Sequence, residues 1–343
     1  MSGAPTSGTP PLHAHCAQVL RKRQALCDAT LSLNTIATVR TGRASAYLFT
    51  GLIFFALMDA IGKSLAAQMG TPLISFARHA VHALLMVLIF GPSLGAAVIR
   101  TRRPWLQVIR GLMLTGFTLS FFSALGYLPQ AEATAIAFIT PFFVMLLAGP
   151  VLGERVTIWR WLGAAGGFVG MLLLLRPGAA LHPTGVGFAL VTVGCSIVFQ
   201  LLTRKLSATP GEGTAATVLI TALVGTVVSA LTLPLMPVWG GWPQQFTTII
   251  WAQLVGIGIC GTVSQLCLVQ AYRWSSASFV APLTFLQIVG AAIAGWLFFG
   301  DLPDLLGGLG IAIICISGVP SMLVETRWSK PANASRSTSA APR

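Results

Sequence analysis

The sequence predicts an all-α polytopic membrane protein with ten transmembrane helices, built as two five-helix repeats of opposite orientation. Three observations carry that expectation. Of the 343 residues, 55% are apolar and only 8% charged, with a mean hydropathy of +0.81. Soluble domains carry about 25% charged residues, so too little ionic surface exists to keep two folded domains in water. Apolar stretches recur at the length of about 20 residues that a helix needs to cross hydrocarbon. The alternation of a membrane barrel is absent, and the run Met171 to Leu175 is apolar on every side. Finally, the bases are sorted between the two sides of the predicted bundle.

Taken in order, span 1 (45–67) follows Arg40 and Arg43, and span 2 (73–98) runs from Pro72 to Arg100. Span 3 (105–127) begins behind Arg102-Arg103-Pro104, and span 4 (131–152) stops at Gly153-Glu154-Arg155. Span 5 (157–175) ends before Arg176-Pro177, and span 6 (184–206) runs from Pro183 into Arg204-Lys205. Span 7 (214–237) opens after Pro210-Gly211-Glu212-Gly213, and span 8 (247–271) closes before Arg273. Span 9 (277–299) reaches Gly300-Asp301, and span 10 (304–324) follows Pro303. Loops retained in the cytoplasm are enriched in Lys and Arg. With the N-terminus inside, 17 of the 21 bases fall on the cytoplasmic side and only Arg176 on the other, while Lys63, Arg78 and Arg110 lie within or at the start of spans. Both tails are basic, which requires an even number of crossings. Trp105, Trp159, Trp161, Trp239, Trp242, Trp251 and Trp274 sit near predicted span ends, where interfacial anchors belong.

Residues 1–44 are polar, lack the apolar core of a secretory signal and read as a flexible cytoplasmic tail, as do residues 326–343. Between them the two repeats cover 45–176 and 184–325. Self-comparison supports the duplication. A shift of 141 places Asp59 on Gln200 and Lys63 on Arg204; a shift of 145 places Gly111 on Gly256 and Tyr127 on Tyr272; a shift of 147 places Gly153-Glu154 on Gly300-Asp301. Five helices per unit is an odd number, so the second unit enters the membrane from the opposite face. Inverted repeats of this kind are typical of secondary carriers.

The run Tyr127-Leu-Pro-Gln-Ala-Glu-Ala-Thr-Ala-Ile-Ala-Phe-Ile-Thr-Pro141 followed by Gly153-Glu154-Arg155, and its second copy from Tyr272 through Pro282 to Gly300-Asp301, resemble the signature of the drug/metabolite transporter (DMT) superfamily, EamA type. The resemblance covers about residues 45–325. It implies ten helices, cytoplasmic termini in the bacterial inner membrane and alternating access. Met58-Asp59-Ala60 with Lys63, Phe76-Ala-Arg78, Arg102-Arg103-Pro104 and Ala131-Glu132-Ala133-Thr134-Ala135 are similar to the branch of riboflavin, S-adenosylmethionine and acylcarnitine carriers, with Asp301 where Glu is usual. Uptake of such a metabolite is the leading expectation. Export of amino acids or drugs within the same superfamily is the alternative, and a membrane-embedded enzyme or a passive channel is the alternative from another class.

Intramembrane charge is costly, by about 2.5–3.5 kcal/mol on insertion scales, and normally faces protein or a water-filled cavity. Asp59 and Lys63 stand one turn apart on span 1, in register either to pair with each other or to meet a substrate or proton on a cavity wall. Arg78 either anchors at the outer interface or grips an anionic group bidentately, and His82 shares its face. His79 and His82 either relay protons or are interfacial residues at a span end. Glu132 either complements a helix N-terminus or forms an outer gate. Arg110 is expected to reach cytoplasmic headgroups. Gln200, Gln265, Gln287, Tyr127 and Tyr272 either bond a substrate or join helices. Phe117, Phe121, Phe122, Phe138, Phe142 and Phe143 either stack on a flat ring or pack. The expected cavity is lined by spans 1, 2, 3, 4, 6, 8 and 9. Pro141 and Pro282 are hinge candidates; Gly163 and Gly167, with Gly166 and Gly170, allow close helix packing or a homodimer beside the monomer. The six cysteines lack metal-ligand spacing, and no phosphate-cradling loop is present, so neither a metal, a cofactor nor direct ATP drive is expected. The bases lie at the ends of apolar runs, which excludes nucleic acid. The expected partners are lipid, a small-molecule substrate and a proton or exchange substrate.

Overall fold

The computed structural model describes residues 42–66, 68–95, 99–125, 127–128, 130–154, 156–175, 182–235, 241–299 and 304–328. Both predicted tails lie outside these residues, except the few that continue the first and last helices. The described residues hold twelve α-helices and no strand: α1 (Gly42–Ala66), α2 (Thr71–Leu94), α3 (Pro104–Leu125), α4 (Gln130–Ala137), α5 (Thr140–Leu152), α6 (Ile158–Leu175), α7 (Pro183–Ser207), α8 (Thr214–Thr232), α9 (Thr248–Trp274), α10 (Ala277–Leu283), α11 (Leu286–Phe299) and α12 (Leu305–Trp328). Eight stretches are long and apolar enough to cross a membrane, and the apolar stretches Ala277–Gly290 and Leu305–Ser317 are shorter. The bundle is apolar outside as well as inside: Leu231 is 74% exposed, Ile249 70% and Ile316 69%. Such a surface is stable against lipid rather than water.

Spans 4 and 9 are each predicted as one helix, and each is broken. In span 4 the cause is proline, which has no N–H and clashes with the carbonyl four residues back. Pro141 withdraws the donor for Ala137, and Ala137 is where α4 ends. Tighter bonds, Ile139 N to Ile136 O at 3.1 Å and Phe142 N to Ile139 O at 3.1 Å, carry the chain into α5. In the second half Pro282 stands one residue from the end of α10, and Thr284 N to Ala281 O (3.2 Å) and Gln287 N to Thr284 O (3.0 Å) bridge to α11.

Helices from the two halves interleave. The closest partners are α6 with α12, α3 with α7 and α2 with α8, and α9 lies most deeply buried of the long helices. Small residues set these distances. A Cβ at Gly170 would stand 2.6 Å from Gly310 O, and one at Gly166 2.6 Å from the Ser317 side chain. At Gly167 it would meet the Phe285 ring at 2.7 Å; Gly163, one turn earlier on α6, is also buried. The glycine face of α6 is thus occupied within the chain.

Candidate functional site

Between the halves lies a cavity of about 800 Å³. It is lined from every span expected at the sequence level, with Leu174 and Leu175 at the end of α6 added. At one end its lining comes from Lys63 and Ala66, both exposed, at the end of α1, from Ile74 at the start of α2, and from Phe122 near the end of α3 and Leu128 beyond it. These segment ends lie on the face of the bundle opposite the first turn of α1. The floor, about mid-bundle, carries Arg78, Phe199, Gln200, Gln265 and Gln287. Both helix breaks border the space, through Thr140 and Pro141 in one half and Thr284 in the other. Broken helices beside a cavity expose backbone polar groups where they can be satisfied by protein or by a polar guest.

Asp59 faces the cavity from α1, and its Oδ2 accepts a 2.9 Å bond from Gln287 Nε2 of α11. Lys63, one turn on, is exposed at that end of the cavity. Arg78 is 4% exposed and donates from Nη1 to Thr118 Oγ1 at 3.0 Å. It is therefore a cavity-floor residue and not an anchor at the outer interface. Gln200 lines the floor with its carbonyl taken by the Tyr272 hydroxyl at 3.0 Å, and its amide donates to Ser196 Oγ at 3.2 Å.

Three sequence-level candidates are not brought to the cavity. Tyr272 is fully buried in the last turn of α9, and its hydroxyl is spent on Gln200. Tyr127 lies beyond the end of α3, half exposed, stacked on His182 at 5.3 Å. His82 is 1% exposed among packed helices, with no partner for Nε2. Its neighbour His79 bonds Ser75 O through Nδ1 at 2.8 Å and packs its ring flat on Gly225. Glu132 belongs to α4, but its side chain lies outside the described residues. Of the phenylalanines, Phe117, Phe121, Phe122 and Phe138 line the cavity, Phe142 packs against Trp161 and Phe168, and Phe143 is exposed.

Arg110 departs furthest from expectation. It does not reach a headgroup; it is fully buried, held by Thr203 Oγ1 (2.7 Å), Thr221 Oγ1, Thr217 O (3.3 Å) and Gln265 Oε1 (3.3 Å), with its guanidinium 4.6 Å from the Phe199 ring centre. The signal was present in Thr217 and Thr221, spaced one turn apart on α8, which offer a polar stripe to a neighbouring helix.

On the opposite face two carboxylates tie the halves together. Glu154, in the loop after α5, accepts from Arg204 Nε (2.8 Å), Ala277 N, Ser278 N and Ser278 Oγ (each 3.1 Å). It thereby caps α10 of the other half, while Arg204 also donates to Tyr272 O at 2.7 Å. Reciprocally, Glu212, in the loop after α7, accepts from Thr101 Oγ1 (2.9 and 2.8 Å), Arg102 N (2.8 Å) and Gln107 Nε2 (3.1 Å), all of the first half. The described bases Arg43, Arg102, Arg103, Arg204, Lys205 and Arg273 gather on this same face, where Arg43 stacks over Trp274 at 5.2 Å. None of these residues is among those that line the cavity.

A cavity with charged lining residues between two interleaved helical halves suits passage of a solute. Residues 42–176 and 184–319 each match the EamA-like transporter family. The chain belongs to the EamA-like transporter family. It is 31% identical over 274 residues to the pseudopaline exporter CntI of Pseudomonas aeruginosa, covering 77% of this chain and 91% of that protein. It is 30% identical over 286 residues to a riboflavin transporter of Rhizobium johnstonii, covering 82% and 91%. An S-adenosylmethionine uptake transporter of Rickettsia bellii is 26% identical over 259 residues, covering 75% and 86%. A solved crystal structure shares the fold with a TM-score of 0.71 at 20% identity, covering 83% of this chain and 98% of that one. As an EamA-family protein the chain is a multi-pass transporter of the bacterial inner membrane and not an enzyme.

Proposed function

We propose that the chain is a ten-span secondary carrier that moves a small polar metabolite by alternating access between two inverted five-helix repeats. The tenfold count joins α4 with α5 and α10 with α11 as two broken spans and includes α12, and both termini then lie in the cytoplasm with the basic face. The single observation that supports this reading best is the cavity, walled by both repeats and lined by residues away from the basic face, where Glu154 and Glu212 hold the repeats together. On this reading the conformation is the outward-open one. Inward opening requires the loop after α5 to leave the N-terminus of α10, and the loop after α7 to leave residues 101–107. Six of the sequence-level candidates, Asp59, Lys63, Arg78, Gln200, Gln265 and Gln287, then meet the solute, with the breaks at Pro141 and Pro282 giving each repeat a bend. Riboflavin, S-adenosylmethionine and pseudopaline, named for relatives that import or export, are the first solutes to try.

The test is flux in proteoliposomes carrying purified protein. A carrier gives saturable uptake of at least one of these solutes, accelerated by the same solute inside, and Asp59→Asn abolishes it while insertion into the vesicles is unchanged. Linear, non-saturable flux would instead indicate a channel, and undiminished uptake by the variant would remove Asp59 from the mechanism.

A further inference from the structure

Two guanidinium groups are buried among the described membrane helices. Arg78 and Arg110 are both buried cations, and among the described residues neither has a carboxylate in ion-pair contact. Buried charge is costly unless paired, and Asp59, the carboxylate among the cavity's lining residues, takes its hydrogen bond from Gln287 and not from a guanidinium.

Gln265 shows where an anion would be held. Its carbonyl accepts from Arg110 Nη2 at 3.3 Å, which fixes the sense of the amide, because the flipped amide would set NH₂ against a guanidinium. The Nε2 donor is thereby turned away from Arg110. It is buried without a partner on a side chain only 1% exposed that lines the cavity. Arg78 rests on the same face of α9, one turn earlier, its Nε 3.5 Å from where a Cβ of Gly261 would stand. A second buried polar group without a partner, the Thr140 hydroxyl, lines the same cavity from the break before α5. A guanidinium, an orphaned amide N–H and a hydroxyl without a partner border the same cavity, and each can donate to an anion there.

We propose that Arg78 and Gln265 form an oxyanion subsite that takes the carboxylate of an amphoteric solute, with Asp59 receiving that solute's ammonium or hydroxyl donor. Arg110 is a positioning residue: it orients Gln265 and adds positive potential from behind Phe199. Asp59 disfavours a dianion, which selects a monovalent carboxylate over a phosphate. The walls at Phe55, Phe117 and Phe121 accept an apolar body. The inference rests on the carrier reading and names its substrate class.

The experiment uses the full chain purified in detergent, with its thermal unfolding midpoint followed against four probes of one scaffold: L-phenylalanine, L-phenylalaninamide, 3-phenylpropionate and phenethylamine. L-Phenylalanine is expected to raise the midpoint, with the amide and phenethylamine weaker by at least about tenfold, the loss of one charge-assisted contact. Arg78→Gln removes the response to both acids, and Arg78→Lys retains part of it. Gln265→Glu keeps an acceptor for Arg110 but turns an oxygen into the subsite; it is expected to weaken the acids by a similar factor and to strengthen phenethylamine. The inference is overturned if the amide binds as well as the acid, if Arg78→Gln and Gln265→Glu bind acids like the wild type, or if none of the four probes shifts the midpoint. Counterflow of riboflavin or S-adenosylmethionine with the same preparation separates the two readings. Saturable exchange beside absent acid binding leaves a carrier without this subsite, whereas acid binding without exchange of any solute leaves the subsite and removes the carrier.

Discussion

Replacing Glu154 by Gln should release the sealed face. Glu154 Oε1 accepts from Arg204 Nε and Ala277 N, and Oε2 from Ser278 N and Ser278 Oγ. A Gln amide keeps one acceptor and sets its NH₂ against donors at the other, so two of four bonds vanish and the other two lose their charge. Hydrogen bonds to charged groups contribute about 1.5–3 kcal/mol each. The glutamate is 11% and Arg204 21% exposed, so solvent screening reduces the total, and a net weakening of about 2 kcal/mol is a fair magnitude. The inward-open state loses nothing, because there the carboxylate is solvated. The equilibrium should therefore shift toward inward-open by roughly 30-fold. A single cysteine at Ser196 on the cavity wall, in a background with the six native cysteines changed to Ser, reports this. An impermeant maleimide should label Ser196→Cys from outside in right-side-out vesicles and barely at all in inside-out ones. With Glu154→Gln added, labelling from the cytoplasmic side should rise by an order of magnitude and labelling from outside should fall. Equal labelling ratios in the two proteins, at equal membrane abundance, would refute the latch.

Glu212→Gln should shift the same labelling ratio in the same direction, since Thr101, Arg102 N and Gln107 lose their common acceptor. Gly170→Ala should lower the unfolding midpoint in detergent by several degrees, because its Cβ would stand 2.6 Å from backbone Gly310 O and overpacking costs about 1–3 kcal/mol. Gly187→Ala is its control: nothing lies within 4 Å of a Cβ there, and the substitution should leave the midpoint unchanged or raise it. Gly225→Ala should destabilise similarly to Gly170→Ala, since its Cβ would collide with the His79 ring, which Ser75 O holds in place.

Much of this was legible in the chain because lipid imposes a simple rule: every crossing needs an apolar run of about 20 residues, and charge within it is exceptional. Asp59, Lys63 and Arg78 stood out for that reason, and all three line the cavity. The breaks in spans 4 and 9 were less legible. Pro141 and Pro282 announced a bend, but a proline in a membrane helix is compatible with a kink or a full interruption, and the neighbours decide between them. Arg110 was misread because its depth along α3 allows snorkelling; only the packing of α7, α8 and α9 around it makes burial the better-satisfied state. Tyr127 and Tyr272 looked equivalent by internal symmetry, yet one is past the end of its helix and the other is sealed within the bundle. Glu212 carried no signal, since one acid in a short loop has no periodicity to betray its partner more than a hundred residues away.

Alternating access requires the two repeats to move relative to each other at the latched face. Glu154→Cys and Ser278→Cys, introduced together in the cysteine-free background, place one thiol on each repeat within reach of a short, cleavable bifunctional reagent. The account predicts that cross-linking stops counterflow in proteoliposomes and that cleavage of the bridge restores it. Counterflow that continues at the uncross-linked rate through a fully bridged protein would contradict it.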